Sequence, residues 1–489
     1  MHQHERLYIG GEWRTPAGTD LLEVTNPATE EVIGRVPLAT TADMDAAVAA
    51  ARHAFDTGPW PRTEPAERAA VLATLSKLLM GRIDEVARLI SAESGSPLSF
   101  ATPAQAFAPT MIFDYYANLA ATFPFEEVRA GMLGPVVLRR EPVGVVAAVI
   151  AWNVPLFLAA AKLAPALLAG CTVVLKPAPE TPLNAFVLAE LCQEAGIPPG
   201  VVNIVAADRD VSEYLVRHPG VDKVSFTGST AAGRAIAAAC GEQLKRCSLE
   251  LGGKSAAILL DDVDLPTALP FLVGSGIMNN GEACVAQTRI LAPRARYDEV
   301  VGAVAAAASA LTVGDPLEAG TDVGPLIHAR QRERVEGYIA AGTDAGARLV
   351  AGGGRPAGLD RGFYIEPTVF ADVENSMRIA QEEIFGPVLS VIGYDGEEQA
   401  VAIANDSAYG LSGTVWSADG EHALDIARRV RAGIVAVNHF TIDFAAPFGG
   451  FKGSGIGREF GPEGLEAFCE LKSISVSPGS TPGGPTIAA

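Results

Sequence analysis

The residues best equipped for chemistry lie between Glu250 and Cys284. Leu249-Glu250-Leu251-Gly252-Gly253-Lys254 sets a carboxylate just before paired glycines. Asn279-Asn280-Gly281-Glu282-Ala283-Cys284-Val285 sets a thiol just after a glycine turn. A thiolate attacks a carbonyl carbon, and a carboxylate can take a proton from water for the return attack. Neither residue carries that reading alone, because a free cysteine is ordinarily a small core residue and a single glutamate ordinarily sits on the surface. What surrounds them along the chain decides.

Composition sets the frame. A chain of 489 residues with 51 Gly, 33 Pro and 49% hydrophobic residues suits an α/β protein of two or three domains and a large core. A net charge of −20 argues against nucleic acid or an anionic membrane as partner. It suits a cationic substrate, although solubility alone accounts for such acidity. The six cysteines (Cys171, Cys192, Cys240, Cys247, Cys284, Cys469) form no CxxC pair and have no histidines at zinc spacing. No metal is expected, and a reducing, cytoplasmic compartment is. The start, Met1-His2-Gln3-His4-Glu5-Arg6, is polar and leads into no apolar signal core. Residues 143–175 are strongly apolar but interrupted by Asn153, Pro155, Lys162, Pro165 and Gly170, which predicts buried strands and helices rather than a membrane span.

The elements that must position the reactive residues follow from periodicity. Residues 7–36 read as short strands and turns. After Thr41, Ala46, Ala47, Ala50, Ala51 and Phe55 recur at helical spacing, as do the apolar positions of 64–80 and 82–93. A β-rich stretch at 132–141 ends in Arg139-Arg140-Glu141 and is either an edge strand or an arm reaching a neighbouring subunit. Then strand and helix alternate. Strands are predicted at 143–150, 172–176, 201–205 and 223–226, and helices at 155–168, 181–195, 211–217 and 230–240. The run at 143–150 is apolar throughout, as a strand buried on both faces must be. Parallel strands joined by helices predict a nucleotide-binding sheet. A second βα-rich stretch follows Lys254, with helices at 268–278, 298–311, 329–341, 400–405 and 421–431. Gly352-Gly353-Gly354 reads as a turn, and the Ser/Pro/Gly/Thr-rich tail from Ser477 as disordered unless pinned to a neighbour.

Several polar positions on this framework have two readings each. Phe226-Thr227-Gly228-Ser229-Thr230 lies where a strand hands over to a helix, so its N–H groups and the Ser229 hydroxyl can meet a phosphate, or Ser229 is a plain cap. Lys176 ends a strand, at the ligand edge of such sheets or simply in solvent. Asn153 is a buried amide donor or a helix cap. Glu382-Glu383-Ile384-Phe385-Gly386-Pro387 offers a carboxylate to a ribose diol or forms a charged loop. Pro447-Phe448-Gly449-Gly450 opens a glycine-rich loop.

Taken in order, Ala151-Trp152-Asn153, Lys176-Pro177, Phe226-Thr227-Gly228-Ser229-Thr230, Glu250-Leu251-Gly252-Gly253-Lys254, Gly281-Glu282-Ala283-Cys284, Glu382-Glu383-Ile384-Phe385-Gly386-Pro387 and Pro447-Phe448-Gly449-Gly450 resemble the motifs of the NAD(P)-dependent aldehyde dehydrogenase superfamily. The likeness runs from about Tyr8 to Val476; Ala151 stands where many relatives carry proline. It implies an α/β fold with a Rossmann-type cofactor domain (1–124 and 142–253), an α/β catalytic domain (254–453) and a small β oligomerisation arm with the C-terminal tail (125–141 and 454–489). It implies Cys284 as nucleophile, Asn153 and the Cys284 N–H as oxyanion donors, and Glu250 as the base that activates water. Thiohemiacetal and thioester intermediates would be followed by release of the acid. Cofactor contacts are implied at Trp152, Lys176 (adenosine ribose), Thr227, Gly228, Ser229 (pyrophosphate), Leu251, Gly252, Glu383 (nicotinamide ribose) and Phe385.

Relatives that prefer NAD often carry Glu three residues after the lysine; here Pro179 stands there, with Glu180 next. Arg209 can meet a 2′-phosphate, whereas Asp208 or Asp210 opposes one. The balance favours NAD and leaves NADP open. The implied partners are an aldehyde and a second copy of the chain, as a homodimer or homotetramer, with no nucleic acid or membrane. Val154, Leu158 and Phe448 suggest an apolar or aromatic aldehyde by adjacency. Two rivals remain: a CoA-acylating relative, which generally lacks the carboxylate found here at Glu250, and a non-catalytic protein on the same fold.

Overall fold

The computed structural model describes residues 2–477, so all but the first residue of the expected disordered tail lies outside the described residues. Its frame is two sheets of parallel strands, numbered here in chain order with the helices that matter to the site. The first set comprises β1 (Val145–Val149), α1 (Pro155–Ala169), β2 (Thr172–Lys176), β3 (Val202–Ile204), β4 (Lys223–Thr227), α2 (Thr230–Gln243) and β5 (Arg246–Glu250). The second comprises β6 (Ala256–Leu259), α3 (Leu265–Ile277), β7 (Arg289–Pro293), α4 (Ala329–Asp344), β8 (Thr368–Ala371), β9 (Val388–Tyr394), β10 (Ser412–Trp416) and β11 (Ile434–Val437).

In the first sheet the parallel order is β5-β4-β1-β2-β3. Gly455–Ile456 adds antiparallel beside β5, and the hairpin Leu7–Ile9/Glu12–Arg14 adds beside β3. The chain runs outward one way from β1 through β2 and β3, then returns to lay β4 and β5 on the other side. A crevice therefore opens between the carboxyl ends of β1 and β4, where open α/β sheets hold their ligands. Both faces of β1 and β2 are buried, which is why their sequences are apolar runs rather than alternations. Pro155 at the first turn and left-handed Gly170 after the last residue delimit α1. The second sheet has the parallel order β8-β9-β7-β6-β10-β11, with Arg348–Ala351 antiparallel at one edge.

A third sheet has Gly134–Pro142 at its centre, paired with Cys469–Ser475 on one side and Glu126–Gly131 on the other. Ahead of the Cys469–Ser475 strand, Phe460, Leu465 and Phe468 pack into the core of the first sheet. Periodicity places neither β5 nor the individual strands of the second sheet, β6 to β11. The sequence of β5, Arg-Cys-Ser-Leu-Glu, is neither an apolar run nor an alternation, since one end is exposed and the other buried. The segment 101–107, wound as a π-helix, was likewise not anticipated. No described helix is long and apolar enough to cross a membrane.

Candidate active site

At the switch point the residues following β1 and β4 face loops from the second sheet across a cavity of about 420 Å³. Trp152, Asn153, Thr227, Gly228, Ser229, Leu251, Gly252, Cys284, Glu383 and Phe385 all border it. Lys176 does not. It lines an adjoining cavity of about 330 Å³ together with Pro179, Glu180 and Arg209, on the far side of the α2 N-terminus. Glu250 borders neither cavity and lies buried at the end of β5.

The loop carrying Cys284 is wound tightly. Asn279 (φ 50), Asn280 (φ 61) and Gly281 (φ 76) are three successive left-handed residues, a conformation that asparagine and glycine tolerate best. Asn280 holds the loop by donating to Gly95 O and Pro325 O, each at 2.9 Å, and accepting from Gly324 N at 2.7 Å. Asn279 donates to Asn153 O at 2.9 Å, and Asn153 Nδ2 donates to Glu282 O at 2.9 Å. The Asn153 backbone and its side-chain amide are thus each tied to the nucleophile loop, with one N–H hydrogen of the amide still free. A Cβ at Gly281 would lie 2.1 Å from Gly386 C, and one at Gly253 would lie 2.2 Å from Cys284 O. Only glycines allow these approaches, and the second brings the segment after Glu250 against the backbone of Cys284. Burial pushes the Cys284 thiol up, and the carboxylates of Glu383 and Glu250 push the same way. The N–H groups of Cys284 and Val285 oppose them.

Glu250 is the anomaly of the site. Both carboxyl oxygens are buried without a hydrogen-bond partner, an arrangement that costs stability and clusters at functional sites. Burial holds its carboxyl well above the usual range, and Glu459 adds to the shift. Lys162 and Arg458 pull the other way. Strand register sets Thr227 of β4 opposite Glu250 of β5. From α1, the fully buried Lys162 donates to Thr227 Oγ1 at 2.8 Å and to Glu459 Oε1 at 2.5 Å. Gly449 closes the other side, since a Cβ there would lie 2.7 Å from Glu250 Oε1.

On the opposite wall, Glu383 Oε1 accepts from Gly253 N at 2.9 Å, and burial pushes its carboxyl up to about 7. Gln331 of α4 donates to Phe385 O at 2.6 Å, and Arg334 donates to Glu383 O and Ile384 O. Phe385, itself left-handed at φ 62, meets Trp152 edge-on with ring centroids 5.3 Å apart. Ser229 does cap α2, accepting from Ala232 N at 3.3 Å, and still borders the cavity with its own hydroxyl hydrogen free to donate. Burial pushes Lys176 down to about 8, against Glu180 and Asp208. Asp208 is committed as the cap of the helix Arg209–Arg217, accepting from Val211 N at 3.0 Å.

These residues fit a dinucleotide. Two cavities flank one helix N-terminus, and the glycines at 228 and 252 leave room that a Cβ would close, against Phe226 at 2.5 Å and Glu383 at 2.4 Å. Cys284 packs against an apolar cluster that includes Phe157, Phe444, Phe448 and Phe460. Phe460 lies 5.6 Å from Phe157, 5.2 Å from Phe444 and 5.8 Å from Phe448. Sequence reading missed Lys162, Glu459, Asn279, Asn280, Gln331 and Arg334. Only Lys162 carried a signal, as the one charge inside an apolar run.

Three comparisons bear on this site. The aldehyde dehydrogenase family model matches residues 13–474. The chain is 51% identical over 472 residues to geranial dehydrogenase of Castellaniella defragrans, covering 96% of this chain and 98% of that one. The crystal structure of Mycobacterium tuberculosis aldehyde dehydrogenase complexed with NAD+ is 54% identical, with a TM-score of 0.97 over 98% of this chain and 99% of the other. Aldehyde dehydrogenase C of Pseudomonas syringae, in complex with NAD+ and octanal, is 44% identical, with a TM-score of 0.94 over 96% of each chain.

Proposed function

The chain belongs to the aldehyde dehydrogenase family and oxidises aldehydes to acids with NAD, and from that premise we propose how its own residues do so. Cys284 attacks the aldehyde carbon, and the oxygen that becomes an alkoxide takes hydrogen bonds from the free Asn153 N–H and from the Cys284 backbone N–H. NAD supplies the hydride acceptor, held by Ser229 and Lys176 on the phosphate and adenosine side and by Glu383, Trp152 and Phe385 on the nicotinamide side. Thr227, Gly228, Leu251 and Gly252 complete its walls. The acyl group is left on Cys284 as a thioester, and Glu250 takes a proton from the water that hydrolyses it. A general base works best when its pKa lies near the working pH, and burial raises the Glu250 carboxyl from the ordinary carboxylate range in that direction.

The observation that carries this reading is the backbone contact at Gly253. It brings the segment three residues after Glu250, which leaves the first sheet, against the Cys284 backbone of the second, and this supports a base and a nucleophile acting on one substrate. Cys284→Ala removes aldehyde oxidation and leaves NAD binding nearly intact. Turnover like that of the wild type in this variant overturns the assignment. Running the assay with and without CoA separates hydrolysis from acyl transfer.

The phenylalanine cluster against which Cys284 packs supports a long apolar aldehyde, in keeping with the geranial and octanal named for two relatives. Val154, Leu158 and Phe448 belong to the same apolar cluster as Cys284. The division proposed for the chain is a cofactor domain (1–124 and 142–253), a catalytic domain (254–453) and an arm with the tail (125–141 and 454–489). A cytoplasmic location is supported by six free cysteines. A homodimer or homotetramer is supported by the arm, whose hairpin tip exposes Met132 and Leu133 and whose outer strand exposes Leu471 and Ile474.

A further inference from the structure

The first two turns of α4 bring three cationic or amide side chains to the larger cavity, and two of them are already engaged. Gln331 holds Phe385 O, and Arg334 holds Glu383 O and Ile384 O. The third, Arg330, borders the same cavity. It is exposed and makes no hydrogen bond or ion pair among the described residues. In a chain of net charge −20, uncommitted guanidinium groups are scarce, and most described arginines have a carboxylate or a carbonyl partner. Two helix N-termini border this cavity as well. α2 begins at Ser229, and α4 begins after its cap His328, which accepts from Gln331 N at 2.9 Å. Both helices exceed thirteen residues, so each presents partial positive charge and unpaired N–H groups at its start. An exposed cation on a cavity that two positive helix ends also border favours an anion there.

We propose that Arg330 is a second anchor for the cofactor's diphosphate, clamping it from α4 against the N-terminus of α2, and that this clamp sets how readily spent cofactor leaves. The proposal rests on reading the cavity as the cofactor site. Guanidinium pairs well with phosphate oxygens, at strengths that salt screens where the pair is exposed. Since α4 also holds the Glu383–Phe385 loop through Gln331 and Arg334, the clamp joins both ends of the cofactor to one helix. Where product release limits turnover, loosening the clamp raises KM and leaves kcat unchanged or higher.

The test is NADH binding by fluorescence titration across a salt series for wild type, Arg330→Gln and Arg330→Lys, together with steady-state kinetics in NAD. Arg330→Gln is expected to raise the NADH Kd about five- to tenfold at low salt, to flatten the salt dependence, and to raise the KM for NAD without lowering kcat. Arg330→Lys retains the charge and most of the salt dependence. Thermal melting of the apoenzyme is unchanged in both variants, because Arg330 makes no contact to lose. If wild type binds NADH and Arg330→Gln matches it in affinity and salt slope, the clamp is refuted while the cofactor cavity stands. If wild type fails to bind NADH, the reading of the cavity itself fails and the clamp with it.

Discussion

Replacing Glu459 by glutamine tests the environment of the base without touching the base. Glu459 is buried and receives the Lys162 ammonium at 2.5 Å, so deleting it would strand a fully buried cation. Breaking such a pair costs about 3–5 kcal/mol. Glutamine keeps the shape and leaves Lys162 a carbonyl acceptor, and Thr227 Oγ1 stays within reach. What disappears is one negative charge beside Glu250. Glu459 is the second cause, after burial, of the raised Glu250 carboxyl, and Lys162 opposes it. Removing the like charge and leaving the cation must lower the Glu250 pKa. A like charge disfavours ionisation of its neighbour, so the shift expected here is downward. Glu250 must be ionised to take a proton from water, so the acid limb of deacylation moves to lower pH. The assay is thioester decay from pH 5 to 9, read from the steady rate after the burst of NADH. An acid limb that stays put, or moves up, refutes the reasoning, because either Glu459 does not act on Glu250 or Glu250 is not the group that limits deacylation.

Glu250→Gln itself should retain a burst of NADH while the steady rate falls about 10²-fold or more, with partial recovery on adding a strong external nucleophile; an unchanged steady rate removes Glu250 from the mechanism. Pro179 leaves no fixed carboxylate at that position, and Arg209 lines the adenosine-side cavity with Glu180. Discrimination against NADP is therefore expected below about a thousandfold in kcat/KM, roughly 4 kcal/mol, and a larger ratio would show that Glu180 or another group excludes the 2′-phosphate. The arm strands should pair across subunits, so light scattering at micromolar concentration should give a dimer or tetramer; a stable monomer contradicts this.

How much of this was legible in the sequence depended on whether a residue's chemistry or its surroundings made it matter. The burial of β1 and β2 was legible because strands covered on both faces must be apolar throughout. Cys284 and Glu250 stood out through the order of their motifs. β5, which carries Glu250, was hidden because a strand running from the surface into the core has no period. Lys162 read as an interruption of an apolar run, and its partner Glu459, nearly three hundred positions away, is brought to it by the return of the chain beside β5. Asn279 and Asn280 were read only as part of a turn. Their left-handed backbone and their bonds to Gly95, Pro325 and Asn153 depend on segments far away in sequence. For Ser229 the cap is real and the same placement puts it on the cavity wall, so the cap does not displace the proposed phosphate contact.

The glycine at 253 has a consequence for how this enzyme fails. The nucleophile loop and the base strand hang from different sheets, and they meet through backbone with no side chain between to take up slack. A side chain can rotate to follow a small displacement, whereas a carbonyl pressed on a bare α-carbon cannot. Reactivity is therefore a gauge of how the two sheets are seated. Urea or heat too mild to unfold either sheet should silence turnover first, while fluorescence and circular dichroism still report an intact protein, and lowering the urea should restore both sheets and their chemistry to register.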